Sequence, residues 1–255
     1  MNLTPAELRD FLLEKADRYE ALDFIPDDPI SIPHRFSDSA DAAMAGLFTA
    51  LIAWGNRKAI LKSATAMMER MDNAPDRFVR EATPREVEQA FAGFVHRTFN
   101  AADVAVVVAG LQQALAGGRS LEELFNQGPD AFSRLAAFHA AVFAGMPEKH
   151  RTRKHVADPR KGSAAKRLNM FLRWMVRPAG RGVDLGLWRT MHPSELMMPL
   201  DVHTSNVGRQ LGLLERKAND WKAVEELTAA LRAIDPQDPV RLDFALFGLG
   251  AIEGF

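Results

Sequence analysis

Helix start signals recur along this chain and restrict its fold more than any other sequence feature. Thr4-Pro5, Thr83-Pro84 and Asp238-Pro239 each place a capping side chain before a proline suited to the first helical position. Asn56 is placed to cap a further helix. Apolar residues at helical spacing predict helices near 42–54, 56–71, 102–116, 129–144, 163–177, 202–211 and 220–233. Only 104–108 looks like a strand, and it lies in an alanine-rich helical context, so the sequence predicts an all-α protein.

The chain shows one candidate internal boundary. Its 255 residues suit one large domain or two modest ones. A passage rich in proline, glycine and charge spans 145–162, and the sequence contains no internal repeat. We therefore expect a single unit over 1–255, with an N-terminal helical layer at 1–145, a second layer at 146–255 and a cleft between the layers.

The residue types that are missing exclude several kinds of chemistry. The chain has no cysteine, which excludes disulfides, a thiolate nucleophile, cysteine zinc sites and cysteine-ligated iron-sulfur clusters. Its seven histidines lack paired metal-ligand spacing, so we expect neither a metal nor a cofactor. The longest apolar stretch, 42–54, is too short to span a bilayer, and the chain starts without a signal pattern. We expect a cytoplasmic protein away from membranes, and no protein partner can be inferred.

The net charge of −1 conceals a strongly basic segment. Residues 148–181 contain eleven Lys or Arg against two acids, a local charge of +9 that leaves −10 on the rest of the chain. One interpretation is a solvated charged face. The other is a surface that binds anions, most often the phosphates of nucleic acid.

Two short motifs carry the candidate chemistry. Residues 162–166 read Gly-Ser-Ala-Ala-Lys, in which Gly162 permits a tight turn and Lys166 falls in the early turns of the following helix. Residues 200–203 read Leu-Asp-Val-His, and Asp201 is a natural helix cap there. Taken alone, these residues are most simply a surface lysine and a capping aspartate.

Taken together and in order, the motifs resemble the helix-hairpin-helix DNA glycosylase superfamily, in particular its 8-oxoguanine glycosylase and endonuclease III branches. The chain also looks like a member of a bacterial family labelled only as a domain of unknown function. Residues 162–166 match the end of the superfamily's Pro-Gly-Val-Gly-x-Lys turn, and 200–203 match its Val-Asp-x-His segment. The similarity is collinear over about 40–250. Ala164 replaces the second glycine of the turn, 177–193 looks like an insertion, and there is no iron-sulfur loop.

The resemblance implies a helix-hairpin-helix glycosylase fold and assigns roles to individual residues. Lys166 is the expected nucleophile, and Asp201 is its expected electrostatic partner. Phe247 is expected to stack on the extruded base, and Asp243 to bind the edge of that base. The expected nucleic-acid contacts are Asn56, Arg57, Lys161, Gly162, Arg167 and His203.

The implied function is repair of damaged double-stranded DNA. A lysine that attacks C1′ forms a Schiff base and so permits β-elimination, and a glycosylase must also extrude its target base. We therefore expect a DNA glycosylase with β-lyase activity on an oxidised purine such as 8-oxoguanine. The alternatives are a non-catalytic DNA-binding module of the same fold, an enzyme acting on RNA or nucleotides, and a helical interaction protein.

Overall fold

The structure is a computed structural model that describes residues 3–255, and these residues are mostly helical. The prediction of an all-α protein is confirmed, with one two-stranded hairpin as the exception. The α-helices are α1 Pro5–Tyr19, α2 Ser39–Ile52, α3 Arg57–Arg70, α4 Pro75–Glu81, α5 Pro84–Ala90, α6 Ala101–Ala114, α7 Leu121–Phe125, α8 Ala131–Val142, α9 Lys166–Val176, α10 Val202–Gln210, α11 Trp221–Ile234 and α12 Leu242–Gly248. Strands β1 Val95–His96 and β2 Phe99–Asn100 pair antiparallel, and α12 continues as a π-helical turn, Leu249–Glu253.

Most of the predicted caps are present, and one is absent. Thr4 and Thr83 each form a capping box with the glutamate three residues later, and Asn56 caps α3. Asp238 makes no capping hydrogen bond, so the prediction of a third cap-and-proline start was wrong in this respect. Its carboxylate instead accepts from Nε of Arg177 at 2.9 and 3.0 Å, and only a 3₁₀ turn, Pro239–Arg241, precedes α12.

The described chain forms two compact units. The first is continuous, Ile25–Asp158, and the second combines residues 3–24 with Pro159–Phe255. These units differ from the expected layers at 1–145 and 146–255, because α1 belongs with the C-terminal helices and 146–158 belongs with the N-terminal ones.

The unit Ile25–Asp158 is built around two apolar helices. Helix α2 is buried from Ala42 to Ile52 and packs against α3 and α4. Helix α6 packs against α5 and α8, and it contains the strand-like stretch 104–108, whose residues 104, 107 and 108 are buried. The valine-rich stretch 104–108 is therefore helical, as its alanine-rich context predicts.

In the second unit, α12 is the central element. It packs against α1 and α10, and the buried Gly248 lies against the ring of Tyr19. Glu253 accepts from Nζ of Lys15 at 2.7 Å and from the hydroxyl of Tyr19, so the end of the chain is fixed to α1. Within residues 3–255, no helix is both long and apolar enough to cross a membrane.

Candidate functional site

The turn at 162–166 places Lys166 at the first position of α9. Gly162 has φ of +80°, and Ala165 lies in the left-handed region with φ of +48°. Position 164, where the superfamily has its second glycine, does not have a positive φ, so Ala165 carries the left-handed conformation instead. The backbone N–H of Trp221 donates to the carbonyl of Gly162 at 3.2 Å, which attaches the turn to the start of α11.

Asp201 caps α10, as the sequence predicts. Its Oδ1 accepts from the backbone N–H of Thr204 at 3.0 Å. His203 lies in the same first turn, is exposed, and contacts the ring of Phe247 edge-on with 6.0 Å between ring centroids. The second motif therefore sits at the N-terminal end of a helix whose first turn reaches α12.

One stripe of α9 connects Lys166 to the interior of the unit. The half-buried Lys166 directs Nζ to Sδ of Met170, 3.6 Å away and one turn further along. Arg173 follows almost one turn after Met170, and its Nη1 donates to Oδ2 of Asp243 at 2.5 Å. Lys166, Met170 and Arg173 therefore share one face of α9, and this face meets α12 at Asp243.

Asp243 connects α9 and α10 through its hydrogen bonds to Arg173 and Thr204. It is 7% exposed, and its Oδ1 accepts from Oγ1 of Thr204 at 3.4 Å. Burial raises the pKa of Asp243 to about 6; Arg173 and Lys166 act to lower the pKa, and the negative charge of Asp201 acts to raise it further. The charges of Lys166 and Asp201 thus both influence Asp243.

The remaining residues assigned by resemblance lie at several places. Asn56 and Arg57 belong to the unit Ile25–Asp158, where Asn56 caps α3 and the exposed Arg57 lies 3.8 Å from Asp28. Lys161 is exposed beside Gly162. Arg167 is half-buried, and burial lowers its pKa to about 10.

Phe247 and Asp243 stand in different environments, although the resemblance assigns both to the base pocket. Phe247 is half-buried between Phe24 and His203, with ring centroids 6.3 and 6.0 Å away. Asp243 is buried, and both of its oxygens accept hydrogen bonds from the protein. Stacking by Phe247 and binding of a base edge by Asp243 stay predictions.

The basic segment 148–181 is not one continuous anion-binding surface. Several of its cations bind acids or carbonyls of the protein itself, among them Arg151, Arg153, Arg173, Arg177 and Arg181. Arg151 binds the fully buried Asp103 at 2.7 Å, for example. Within the second unit, the turn itself carries Arg160, Lys161, Lys166 and Arg167.

Sequence reasoning missed Arg173, Asp184 and Thr204. Arg173 is 4% exposed, and its Nε donates to Oδ1 of the buried Asp184 at 3.3 Å. One signal was present, because Arg173 interrupts an apolar run from 170 to 176, and a charged residue in such a run indicates a buried ion pair. Nothing in the local sequence marks Thr204 as the link between Asp201 and Asp243.

The comparisons with known proteins define the family. A family model described as "Protein of unknown function (DUF2400)" matches residues 28–252, so the chain belongs to this family. This agrees with the expected membership of a domain-of-unknown-function family, and it adds nothing on a relationship to DNA glycosylases. Neither the curated proteins nor the solved structures yielded a match.

Proposed function

We propose that this protein is a DNA glycosylase with associated β-lyase activity, acting on an oxidised purine such as 8-oxoguanine. One observation carries the proposal: a glycine turn sets Lys166 at the start of α9, a helix cap sets Asp201 at the start of α10, and one buried carboxylate, Asp243, binds Arg173 of α9 and Thr204 of α10. An amine and a carboxylate in one electrostatic cluster are the pair that a lysine-dependent glycosylase requires.

Lys166 supplies the nucleophile. Its neutral Nζ attacks C1′ of the damaged nucleotide, the C1′–N bond breaks, and the base leaves with the bonding electrons and takes up a proton. The ammonium formed at C1′ loses a proton, and the sugar ring opens to a Schiff base. Loss of a C2′ proton then expels the 3′ phosphate, which is the β-lyase step.

Asp201 stabilises the positive charge that develops on the sugar. Its capping bond to Thr204 fixes the carboxylate at the helix start, so little reorganisation is needed during the reaction. Lys161, Arg167 and the backbone around Gly162 supply phosphate contacts, which position the duplex without reading its sequence. Because such binding releases counterions, it weakens with added salt.

Borohydride trapping tests the proposal directly, because reduction of the Schiff base joins Lys166 to the sugar covalently. We expect trapped complexes from wild-type protein on a duplex containing 8-oxoguanine and on one containing an abasic site, and none from Lys166→Gln. Duplexes containing uracil or a pyrimidine lesion measure the substrate preference. Lys222→Gln is the matched control, since Lys222 is an exposed lysine on α11 in the same unit.

Absence of a trapped complex on every duplex contradicts the proposal. If salt-sensitive binding persists in that case, the protein is a non-catalytic binding module, and Lys166→Gln should weaken binding to damaged and undamaged DNA alike. Competition between RNA and DNA duplexes then identifies the preferred polymer, since the 2′-hydroxyl distinguishes them.

A further inference from the structure

The segment 177–193, here called the inserted segment, folds back onto the end of α9. The backbone N–H of Leu185 donates to the carbonyl of Trp174 at 2.8 Å. The backbone N–H of Trp188 likewise donates to the carbonyl of Met175, at 2.9 Å. These carbonyls belong to the last turn of α9, where a helix leaves its own C=O groups without partners. The inserted segment therefore completes the end of the helix that carries the candidate nucleophile.

Asp184 lies in the middle of the inserted segment and connects it to α9 and α12. It is 1% exposed, and its Oδ1 accepts from Nε of Arg173 at 3.3 Å. Nη1 of the same guanidinium donates to Oδ2 of Asp243 at 2.5 Å. A guanidinium is planar and its donors are fixed relative to one another, so a bond at one edge orients the other edge. Asp184 therefore orients Arg173 toward Asp243.

From Asp243 the hydrogen bonds continue to the start of α10. Its Oδ1 accepts from the hydroxyl of Thr204 at 3.4 Å, the longest bond in this series. The backbone N–H of Thr204 donates in turn to Oδ1 of Asp201 at 3.0 Å. A continuous series of hydrogen bonds thus joins the inserted segment to the carboxylate that is proposed to stabilise the sugar cation.

This inference rests on the proposed function. We propose that Asp184 is a positioning residue, which holds Asp201 in place for release of the base. It acts through the hydrogen bonds of Arg173, Asp243 and Thr204. The nucleophile at the start of α9 and the carboxylate at the start of α10 must act on one sugar, and a misplacement of about 1 Å can cost about 100-fold in rate. The inserted segment therefore has a role in the reaction although it lies outside both motifs.

The two chemical steps differ in how far they need Asp201. Release of a base from an intact nucleotide places positive charge on the sugar, and Asp201 is proposed to stabilise that charge. An abasic site has already lost its base, and its open-chain aldehyde reacts with Lys166 without a sugar cation. A displaced Asp201 should therefore slow base release more than it slows Schiff-base formation at an abasic site.

The ratio of these two rates tests the inference. Both rates are measured under single-turnover conditions with excess protein, the first on a duplex containing 8-oxoguanine and the second on a duplex containing an abasic site. Alkali cleaves the strand wherever a base has been released and so measures the first rate. Trapping with sodium cyanoborohydride measures the second. Partial unfolding of a variant lowers both signals together and leaves their ratio unchanged.

Thr204→Val is the most selective variant, because it removes the hydroxyl bond to Asp243 and keeps the backbone N–H that Asp201 accepts. We expect it to lower the ratio about 10-fold, and we expect Thr204→Ser, which keeps the hydroxyl, to restore the ratio. Thr228→Val is the matched control. Thr228 is equally buried, and its hydroxyl donates to the carbonyl of Val224 at 2.6 Å within α11. This control should keep the wild-type ratio.

Asp184→Asn tests the inserted segment itself. The uncharged amide holds Arg173 more weakly than the carboxylate does, so we expect the ratio to fall at least about 3-fold. Asp238→Asn is its control, since Asp238 binds Arg177, the other arginine that Asp184 holds. This second control should also keep the wild-type ratio.

The outcomes separate this inference from the proposed function. If wild type releases the base but folded Thr204→Val or Asp184→Asn keeps the wild-type ratio, the inference is wrong and the proposed function stands. The same holds if Thr204→Ser does not restore the ratio, or if the two controls lose it equally. Circular dichroism shows which variants are folded, and Asp184→Asn decides alone if Thr204→Val does not fold. Absence of base release from wild type overturns the proposed function and this inference with it.

Discussion

At the scale of single residues, several positive charges of the basic segment pair with groups inside the protein. Burial alone would lower the pKa of Arg177, but Asp184, Asp238 and Glu20 raise it well above its ordinary value. Burying such charges is costly unless each one is paired and hydrogen-bonded. The acids that pair with Arg177 lie 7 to 157 positions away in the chain. A count of charge in one segment could not reveal them, because pairing of this kind is a property of the fold.

Asp201 combines a structural role and a proposed catalytic role, and two substitutions separate them. Asparagine caps helices about as well as aspartate, so Asp201→Asn should change the free energy of unfolding by less than about 0.5 kcal/mol. The same variant loses the negative charge and should trap at least about 100-fold less Schiff base. Thermal unfolding and borohydride trapping measure the two effects.

Asp201→Ala provides the comparison for that experiment. It removes the cap as well as the charge, and we expect it to destabilise the protein by about 1 kcal/mol more than Asp201→Asn does. If Asp201→Asn traps at the wild-type rate, Asp201 is a helix cap only.

At the scale of elements, sequence signals predicted helices best where a cap preceded a long apolar pattern. Thr4 before α1 and Asn56 before α3 are such cases, and both caps are present. Helix α4 has seven residues and no side-chain cap, and α7 has five residues. Both helices are too short to show a detectable periodic pattern. For the site, the sequence placed Lys166 and Asp201 at helix starts. The hydrogen bonds of Asp243 to Arg173 and Thr204 connect three separate helices, and no local pattern records them.

The left-handed conformation of Ala165 strains the backbone in the turn before α9, and this strain can be tested. A left-handed alanine costs roughly 1–2 kcal/mol, and Ala165→Gly removes this cost. The relief offsets the added flexibility of the unfolded chain and the loss of a buried methyl group, so we expect a stability change near zero. Ala164→Gly gains no such relief and should destabilise by about 0.4–1 kcal/mol. A larger loss of stability for Ala165→Gly than for Ala164→Gly, measured by urea unfolding, contradicts this account.

At the scale of the whole molecule, one compact unit is discontinuous in sequence. Residues 3–24 join Pro159–Phe255 although the whole of the other unit lies between them in the chain. The composition of the sequence marks 145–162 as a candidate boundary. The membership of α1 leaves no such mark, because it depends on packing between α1 and α12 that no local pattern records.

Gly248 tests that packing. A Cβ at this position would overlap Cδ2 of Tyr19, so Gly248→Ala forces α1 and α12 apart. We expect a loss of stability of about 1–3 kcal/mol from overpacking, reduced by the better helix propensity of alanine. Gly180→Ala is the control, since its Cβ would meet open space and its φ is not positive. Equal melting temperatures for both variants would show that the contact with Tyr19 is not tightly packed.

The same discontinuity dictates an order of events during synthesis. Helix α1 leaves the ribosome before Ile25–Asp158, yet the residues that bind it and its C-cap, such as Glu253 and Arg177, are made more than 150 positions later. The stretch Ile25–Asp158 has its own internal contacts and can form them before the residues that pack against α1 have been synthesised. The proposed catalytic lysine and aspartate follow, and the last few residues, through Glu253, secure the first helix. A nascent chain stalled before Lys166 would therefore contain all of Ile25–Asp158 and none of the proposed catalytic residues.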